Sequence, residues 1–290
     1  MKLITTDAQL RALIPNVLVT VTGETSLLDK MKPFLEEAER WLSENFLSDT
    51  VLDTVIAFDE DNVTRQQASQ IVSMEAFRNA VPFLDVVFTP NGFGIVSNNN
   101  IAPASKERVE RLIATALSNR DQILLNLVPQ LYGIDGWSST EQCRFFGSTL
   151  FPTLAITKQL ACKDKSSSAS TNIWDQYLQL REELLSIEQF VADCYISTEQ
   201  MDVFRNEVIS GTIASAHSAV VRSLQSVEIQ MLKGKMNGIP FSIEHRMLDN
   251  IVNVIRNDET NFPEWHSSSV KELFSPPIYK NKKEDCGYWF

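Results

Sequence analysis

The sequence has few of the residues that carry most metal and redox chemistry. Its 290 residues include three histidines and four cysteines, and no two cysteines form a C-x-x-C pair. His217 and His266 lack partners at metal-ligand spacing, and Glu244-His245 is an isolated pair at a predicted helix start. We therefore expect no metal site, no cofactor and no disulfide, with free thiols in a reducing compartment.

Motifs of nucleotide binding and hydrolysis are also missing. No Walker sequence, H-E-x-x-H or G-x-S-x-G occurs. The glycines of Gly92-Phe93-Gly94 follow a predicted strand, but no third glycine opens a helix after them. The carboxylates are scattered over predicted solvated helix faces. We expect that the protein is not an enzyme; an unrecognised enzyme would instead show a concave pocket with clustered carboxylates or histidines.

Long apolar runs and a basic surface are absent too. No stretch approaches the roughly 20 apolar residues that span a bilayer, and the N-terminus lacks the apolar core of a signal peptide. Lys and Arg total 26 against 37 Asp and Glu, a formal charge of −11. We expect no membrane association and no sequence-specific nucleic-acid binding. The negative charge either keeps the protein soluble or lets DNA pass without adhesion.

What the sequence does contain is a succession of amphipathic helices. Its apolar content of 43% is enough for sizeable cores, and nearly every periodic segment repeats its apolar positions at helical spacing. Residues 138–142 and 197–200 have capping-box sequences that predict helix starts. The predicted fold class is therefore mainly α, in two helical-bundle halves.

One segment departs from the helical pattern. Residues 84–97 contain two apolar runs on either side of a Pro-Asn-Gly turn, which predicts a β-hairpin inserted in the first half. Connecting elements that project from a scaffold often carry recognition. We predict that this hairpin binds a partner through Val86, Phe88, Pro90, Asn91, Gly92, Phe93 and Ile95.

The C-terminal residues 259–290 form a predicted extended tail. Its Pro-Pro and lysine-rich sequence resists helix formation. A terminus that ends in Tyr-Trp-Phe exposes apolar area unless it docks on its own body or on a neighbouring subunit. The predicted partner-binding residues of the tail are Pro276, Pro277, Tyr279, Tyr288, Trp289 and Phe290.

The two halves resemble each other weakly. Residues 39–48 (ERWLSENFLS) run parallel to residues 188–197 (EQFVADCYIS), and a short, a longer and a final helix follow in each half. This likeness indicates a possible duplication, although amphipathic helices also resemble one another by composition alone. The predicted domains are an N-terminal helical domain (1–130), a connecting segment with a Ser-rich loop (131–172), a C-terminal helical domain (173–258) and the tail (259–290).

Three stretches carry a family resemblance: residues 76–85 (AFRNAVPFLD), 89–98 (TPNGFGIVSN) and 101–109 (IAPASKERV). Together they resemble an uncharacterised protein family common in phages and prophages of Bacteroidetes. The similarity is closest over about residues 70 to 125, and the remaining helices agree in pattern only. Those proteins look like virion structural components, and a helical body with a protruding hairpin and extended tail is similar to head-tail connector (adaptor) proteins.

The resemblance implies a function and a location. In proteins of the connector type, many copies form a homo-oligomeric ring beneath the portal, contact portal and tail or neck proteins, and let DNA pass through the centre. We thus expect a virion protein assembled in the host cytoplasm. The chain is far longer than the commonest adaptors, which leaves ring position and copy number open. The alternative is a cytoplasmic helical protein-binding module with no virion role.

Overall fold

A computed structural model of the chain describes residues 2–14, 25–84, 87–89, 92–94, 105–160, 172–238 and 243–275. The described chain is mainly α-helical, as the periodicity predicts. It separates into two compact units, Met1–Arg181 and Glu182–Phe290, which we call unit 1 and unit 2. The predicted connecting segment, residues 131–172, lies before this division, and its described helices belong to unit 1.

Unit 1 is organised around one long helix that packs against two other long helices. In chain order its helices are α1 (Asp7–Leu13), α2 (Leu27–Leu42), α3 (Asp49–Ala57), α4 (Val63–Leu84), α5 (Lys106–Leu131), α6 (Glu141–Phe146), α7 (Ile156–Leu160) and the first part of α8 (Ile173–Val191). The most extensive contacts join α4 to α5 and α2 to α4. Ser26 caps α2 by accepting a hydrogen bond from the Asp29 N–H, and the inward face of α2 buries Met31, Leu35, Ala38 and Leu42.

Unit 2 repeats much of this helix order. After the second part of α8 come α9 (Thr198–Ser210), α10 (Ser215–Met236), α11 (Ile243–Arg256), α12 (Pro263–Ser267) and α13 (Val270–Leu273). The main packing pair is α10 with α11. Its core includes Leu224, Val227, Leu248 and Val252, all of which are buried. Among the helices of the described residues, none is both long enough and apolar enough to cross a membrane.

The β-hairpin predicted over residues 84–97 is not borne out at that extent. Leu84 still belongs to α4, which continues past Pro82. Two three-residue strands, β1 (Val87–Thr89) and β2 (Gly92–Gly94), pair in antiparallel register; the other residues of the predicted hairpin lie outside the described residues. A short apolar run fits helix or strand equally well, which explains why the sequence placed the strand start too early.

Both units contain a five-residue π-helical turn at the end of a long helix. The first π turn (Ser43–Leu47) follows α2, and the second π turn (Ala192–Ile196) follows α8. Each is closed by a backbone hydrogen bond from the next serine to the first residue of the turn, 2.8 Å long for Ser48 and 2.9 Å for Ser197. Two rare turns of the same length thus occur at corresponding places in the helix order.

The serine after each π turn has a strained backbone. Ser48 has φ 71° and ψ 161°, and Ser197 has φ 77° and ψ 150°. This region is almost restricted to glycine and costs about 1 to 3 kcal/mol for other residues. Each side chain also caps the next helix, since Ser48 accepts from the Val51 N–H and Ser197 from the Gln200 N–H. The helix start predicted at residues 197–200 is confirmed.

Candidate interaction surfaces

The end of α4 presents an exposed apolar surface where the chain passes towards the strands. Phe83 is 71% exposed and Leu84 is 39% exposed. The ring of Phe83 lies 5.4 Å from that of Phe34 on α2, so the surface extends over two helices. Exposed apolar area of this kind, at the base of a connecting segment, is typical of a binding surface.

The structure describes only some of the residues that were predicted to form the partner-binding hairpin. Phe88 and Phe93 face each other in the backbone register of β1 and β2, and Gly92 pairs with Thr89. The remaining predicted contacts of the hairpin and all those of the tail lie outside the described residues: Val86, Pro90, Asn91, Ile95, Pro276, Pro277, Tyr279, Tyr288, Trp289 and Phe290. Their roles stay predictions.

A buried ionic network joins three helices of unit 1. The Arg120 side chain is 2% exposed and donates to Glu75 Oε2 at 2.6 Å and to Asp121 Oδ1 at 2.6 Å. Its guanidinium carbon also lies 4.8 Å from the ring centroid of Trp41. Asp121 in turn accepts a 2.6 Å hydrogen bond from the Ile173 N–H at the start of α8. The network therefore fixes the first turn of α8 against α4 and α5.

The two carboxylates of this network respond differently to burial. Burial by itself raises the pKa of Glu75, but the hydrogen bonds and charges of Arg78 and Arg120 outweigh it, and the pKa lies below the ordinary value. For Asp121 burial prevails over the attraction of Arg120, so its pKa is raised. Because such networks also have structural roles, these shifts do not by themselves identify a catalytic group.

Unit 2 has a buried polar cluster of a different kind. Glu188 and Glu228 are both fully buried, and Arg205 pairs with Glu188 at 2.9 Å. Neither oxygen of Glu228 has a hydrogen-bond partner among the described residues, and the side-chain amide of Gln200 has none there either. Burial, followed by the neighbouring charge of Glu188, holds the pKa of Glu228 well above its ordinary value. The surroundings of Glu228 thus favour its protonated form.

Each unit also contains a tryptophan that donates to the backbone of its π turn. Trp137 Nε1 donates to the Phe46 carbonyl at 2.7 Å, and Trp265 Nε1 donates to the Tyr195 carbonyl at 2.8 Å. Both indoles are fully buried. Phe46, a residue of the first π turn, and Tyr195 of the second occupy the same position in their turns.

A third aromatic residue completes each arrangement at nearly the same distances. In the first aromatic triad (Phe46, Trp137, Phe146), the ring of Phe146 lies 5.9 Å from Phe46 and 6.4 Å from Trp137. In the second aromatic triad (Tyr195, Trp265, Phe274), the corresponding distances are 5.9 Å and 6.3 Å. The two units therefore share a local geometry as well as a helix order.

Polar and apolar clefts are both present at the surface. A polar cleft of about 470 Å³ in unit 1 is lined by hydroxyl and carboxylate side chains, including Glu44, Asp49 and Glu141. A groove of about 270 Å³ in unit 2 runs between α10 and α11 and is mainly apolar. No group of three or more His, Cys, Asp or Glu side chains within the described ranges could hold a metal ion.

Sequence reasoning missed the buried network and the triads. Glu75 and Arg120 are separated by 45 positions, and Trp137 lies 91 positions from the carbonyl that it contacts, so no local pattern joins them. A signal for the triads was present, because Thr140 and Ser268, each three residues after a tryptophan, donate a hydrogen bond back to the tryptophan carbonyl. The predicted parallel of residues 39–48 and 188–197 pointed to the same region.

The comparison with known proteins gives one similarity. Residues 14–147, less than half of the chain, match a protein family described as a family of unknown function (DUF6712). The matched region includes α2 and ends one residue after α6, so it spans one set of helices with its π turn and its aromatic triad. No curated protein and no solved structure matches the chain.

Proposed function

We propose that this chain is a structural component of a phage particle, of the head-tail connector type, which binds neighbouring proteins and has no catalytic role. The observation that carries the proposal is a difference between two similar helix pairs. In unit 1, residues 85–105 connect α4 with α5 and contain the paired strands, whereas in unit 2 residues 237–242 alone connect α10 with α11. A longer connection at one of two equivalent places indicates a function beyond joining helices.

The surface around this connection is suited to a protein partner. It starts from the exposed side chains of Phe83 and Leu84, and short paired strands offer free backbone edges to a neighbouring strand. A cyclic ring needs two different contact faces on each subunit; the strand-bearing connection would supply one. With a formal charge of −11, a ring of such subunits would limit the adhesion of DNA passing through it.

We also propose that units 1 and 2 arose by duplication. Three features support it: the order of helices, the two π turns with their strained serines, and the two aromatic triads. The family similarity over residues 14–147 agrees with this, because it covers one set of these features. Superposition of the two sets, each taken from its long first helix to its triad phenylalanine, tests the proposal. A mismatch of helix order would reject it.

The experiment for the connector role exchanges one connection for the other. Residues 85–105 are replaced by the six residues Asn237-Gly238-Ile239-Pro240-Phe241-Ser242, which join the equivalent helix pair. We expect unchanged helical circular dichroism and a chain that no longer enters particles, measured by electron microscopy and infectious titre in a phage that encodes it. A control variant with the reverse exchange in unit 2 tests whether loop length alone matters.

Three results would count against the proposal. Normal incorporation of the exchanged chain would show that residues 85–105 are not needed for assembly. A gene neighbourhood without portal, major capsid and tail genes would reject the virion role, and light scattering that shows only monomers with a cellular partner would favour a cytoplasmic binding module.

A further inference from the structure

The first aromatic triad is covered by the chain that follows it. Trp174 on α8 lies 4.6 Å from the ring of Phe46, and Tyr177 lies 5.6 Å from the ring of Phe146. The same two residues also contact Phe145, at 6.1 and 6.3 Å. As a result Phe46 and Phe146 are fully buried. In unit 1, an aromatic pair from the next segment of the chain therefore completes the core.

The second aromatic triad, in which Tyr195 takes the place of Phe46, lacks this cover among the described residues. Tyr195 and Phe274 are partly exposed. Leu273, which precedes the triad phenylalanine as Phe145 does in unit 1, is 67% exposed, and Phe190 is 37% exposed. We call these four residues the unit 2 apolar face. Large exposed apolar residues grouped in this way mark a docking surface.

The chain itself offers a suitable occupant. Residues 276–290 begin directly after this face, and they carry Tyr279, Tyr288, Trp289 and Phe290. Trp289 lies fifteen positions after Phe274, and an extended chain of that length spans about 50 Å. The rings of the face lie only 5.9 Å apart, so the tail has ample length to turn back. A tethered segment also binds at a high effective concentration.

A second copy of the chain matches the face less well through its first helix. If α2 of another copy and the residues just before it covered the face as α8 covers the first triad, they would present the residues equivalent to Trp174 and Tyr177. By the alignment of residues 39–48 with 188–197, these are Thr25 and Leu28. Neither is aromatic, so the ring contacts seen in unit 1 could not form.

We propose that the C-terminal tail docks in cis on the unit 2 apolar face and places Tyr288, Trp289 and Phe290 where Trp174 and Tyr177 lie in unit 1. The tail then completes the core of unit 2. This proposal goes beyond the connector role and does not depend on it. Of the two docking sites left open by the sequence, it selects the tail's own body.

The test uses the full chain labelled with fluorotryptophan. The chain contains five tryptophans, and Trp289→Phe identifies the Trp289 signal in fluorine NMR by its loss. We expect the Trp289 signal to be shielded from a soluble paramagnetic reagent. Leu273→Glu, on the face, should abolish that shielding. The matched control is Val254→Glu, because Val254 is 54% exposed on α11 and lies outside the face; it should leave the signal unchanged.

Each other outcome overturns the proposal. A Trp289 signal that is fully open to the reagent in the unmodified chain shows that the tail does not dock. Shielding that survives Leu273→Glu places the tail at a different site. Shielding that disappears on dilution, together with a loss of dimer mass in light scattering, assigns the tail to a second copy. An unchanged helical circular dichroism spectrum verifies that each variant is folded.

Discussion

In unit 1 the carboxylate of Glu75 lies between two arginines, whereas in unit 2 the carboxylate of Glu228 is buried with no hydrogen-bond partner among the described residues. The two units otherwise share helix order, π turns and aromatic triads. Two units with a similar helix order can therefore differ in how they accommodate buried carboxylates. Unit 1 surrounds Glu75 with arginines, whereas unit 2 pairs Glu188 with Arg205 and leaves Glu228, whose pKa is raised by burial, without a partner among the described residues.

The two triads also differ in how well other residues cover them: the first triad is buried, and the second is partly exposed. In unit 1, Asp121 binds the first turn of α8 and so holds Trp174 over the first triad. In unit 2, Tyr195 of the second triad instead makes a hydrogen bond of 2.7 Å with His245 at the surface. The buried network of unit 1 thus attaches the start of α8 to α5.

The largest effect should come from removing Arg120. Arg120→Met leaves Glu75 and Asp121 buried with less positive charge around them, and we expect a loss of about 3 to 5 kcal/mol in the free energy of unfolding of unit 1. Urea denaturation measures it. Arg78→Met is the matched control: Arg78 also pairs with Glu75 but is 29% exposed, so its removal should cost about 1 kcal/mol or less. Equal losses would contradict the role of burial.

The two indole hydrogen bonds should be equivalent. Trp137→Phe and Trp265→Phe each remove a donor and leave a buried carbonyl unpaired, which should cost about 1 to 3 kcal/mol in the unit concerned. Denaturation followed by unit-specific hydrogen exchange separates the two. A loss of stability in only one of the two variants would show that the two triads are not equivalent.

The pH dependence should have opposite signs for the two glutamates. The raised pKa of Glu228 means that its contribution is fully present below its ordinary value of 4.5 and is lost as pH rises towards the raised value. Glu228→Gln replaces the acid with a group that does not ionise, so the variant does not lose stability as pH rises. Unit 2 of the variant should therefore melt roughly a few degrees higher than wild type at pH 8, with little difference at pH 4.

Glu75 supplies the matched comparison. Its pKa is lowered, so its contribution is present above the ordinary value of 4.5 and is lost as pH falls through the lowered value. Glu75→Gln should therefore destabilise unit 1 at neutral pH and much less in acid. Thermal melts of both variants between pH 3 and 8 check the two signs. If the melting temperatures of both variants shifted in the same direction relative to wild type at neutral pH, the difference between the units would be contradicted.

The smallest effect should appear at the strained serines. Ser48→Ala loses the helix cap and keeps the strain, and should cost about 1 kcal/mol. Ser48→Gly loses the cap but relieves the backbone, so it should be neutral or stabilising by about 1 kcal/mol. The same order is expected at Ser197. Melting temperatures of the four variants test it, and an alanine that is better tolerated than glycine would contradict the strained geometry.

Local patterns predicted some parts of the structure well. The helical class, the cap at Ser197 and the likeness of residues 39–48 and 188–197 all depend on residues only a few positions apart. The strand start at Leu84 was wrong for the same reason, since a short apolar run fits helix and strand alike. The residues predicted to bind partners lie largely outside the described residues, and their role stays a prediction.

The sequence by itself determined the helices, because apolar periodicity and capping act within one or two turns. Only the tertiary structure decided which side chains were covered. Phe46 is buried and Tyr195, at the same position of its π turn, is partly exposed; Glu75 found Arg120 at a distance of 45 positions, and Glu228 found no such partner among the described residues. The physical reason is that burial and charge pairing depend on which distant segments meet, and no local repeat encodes that.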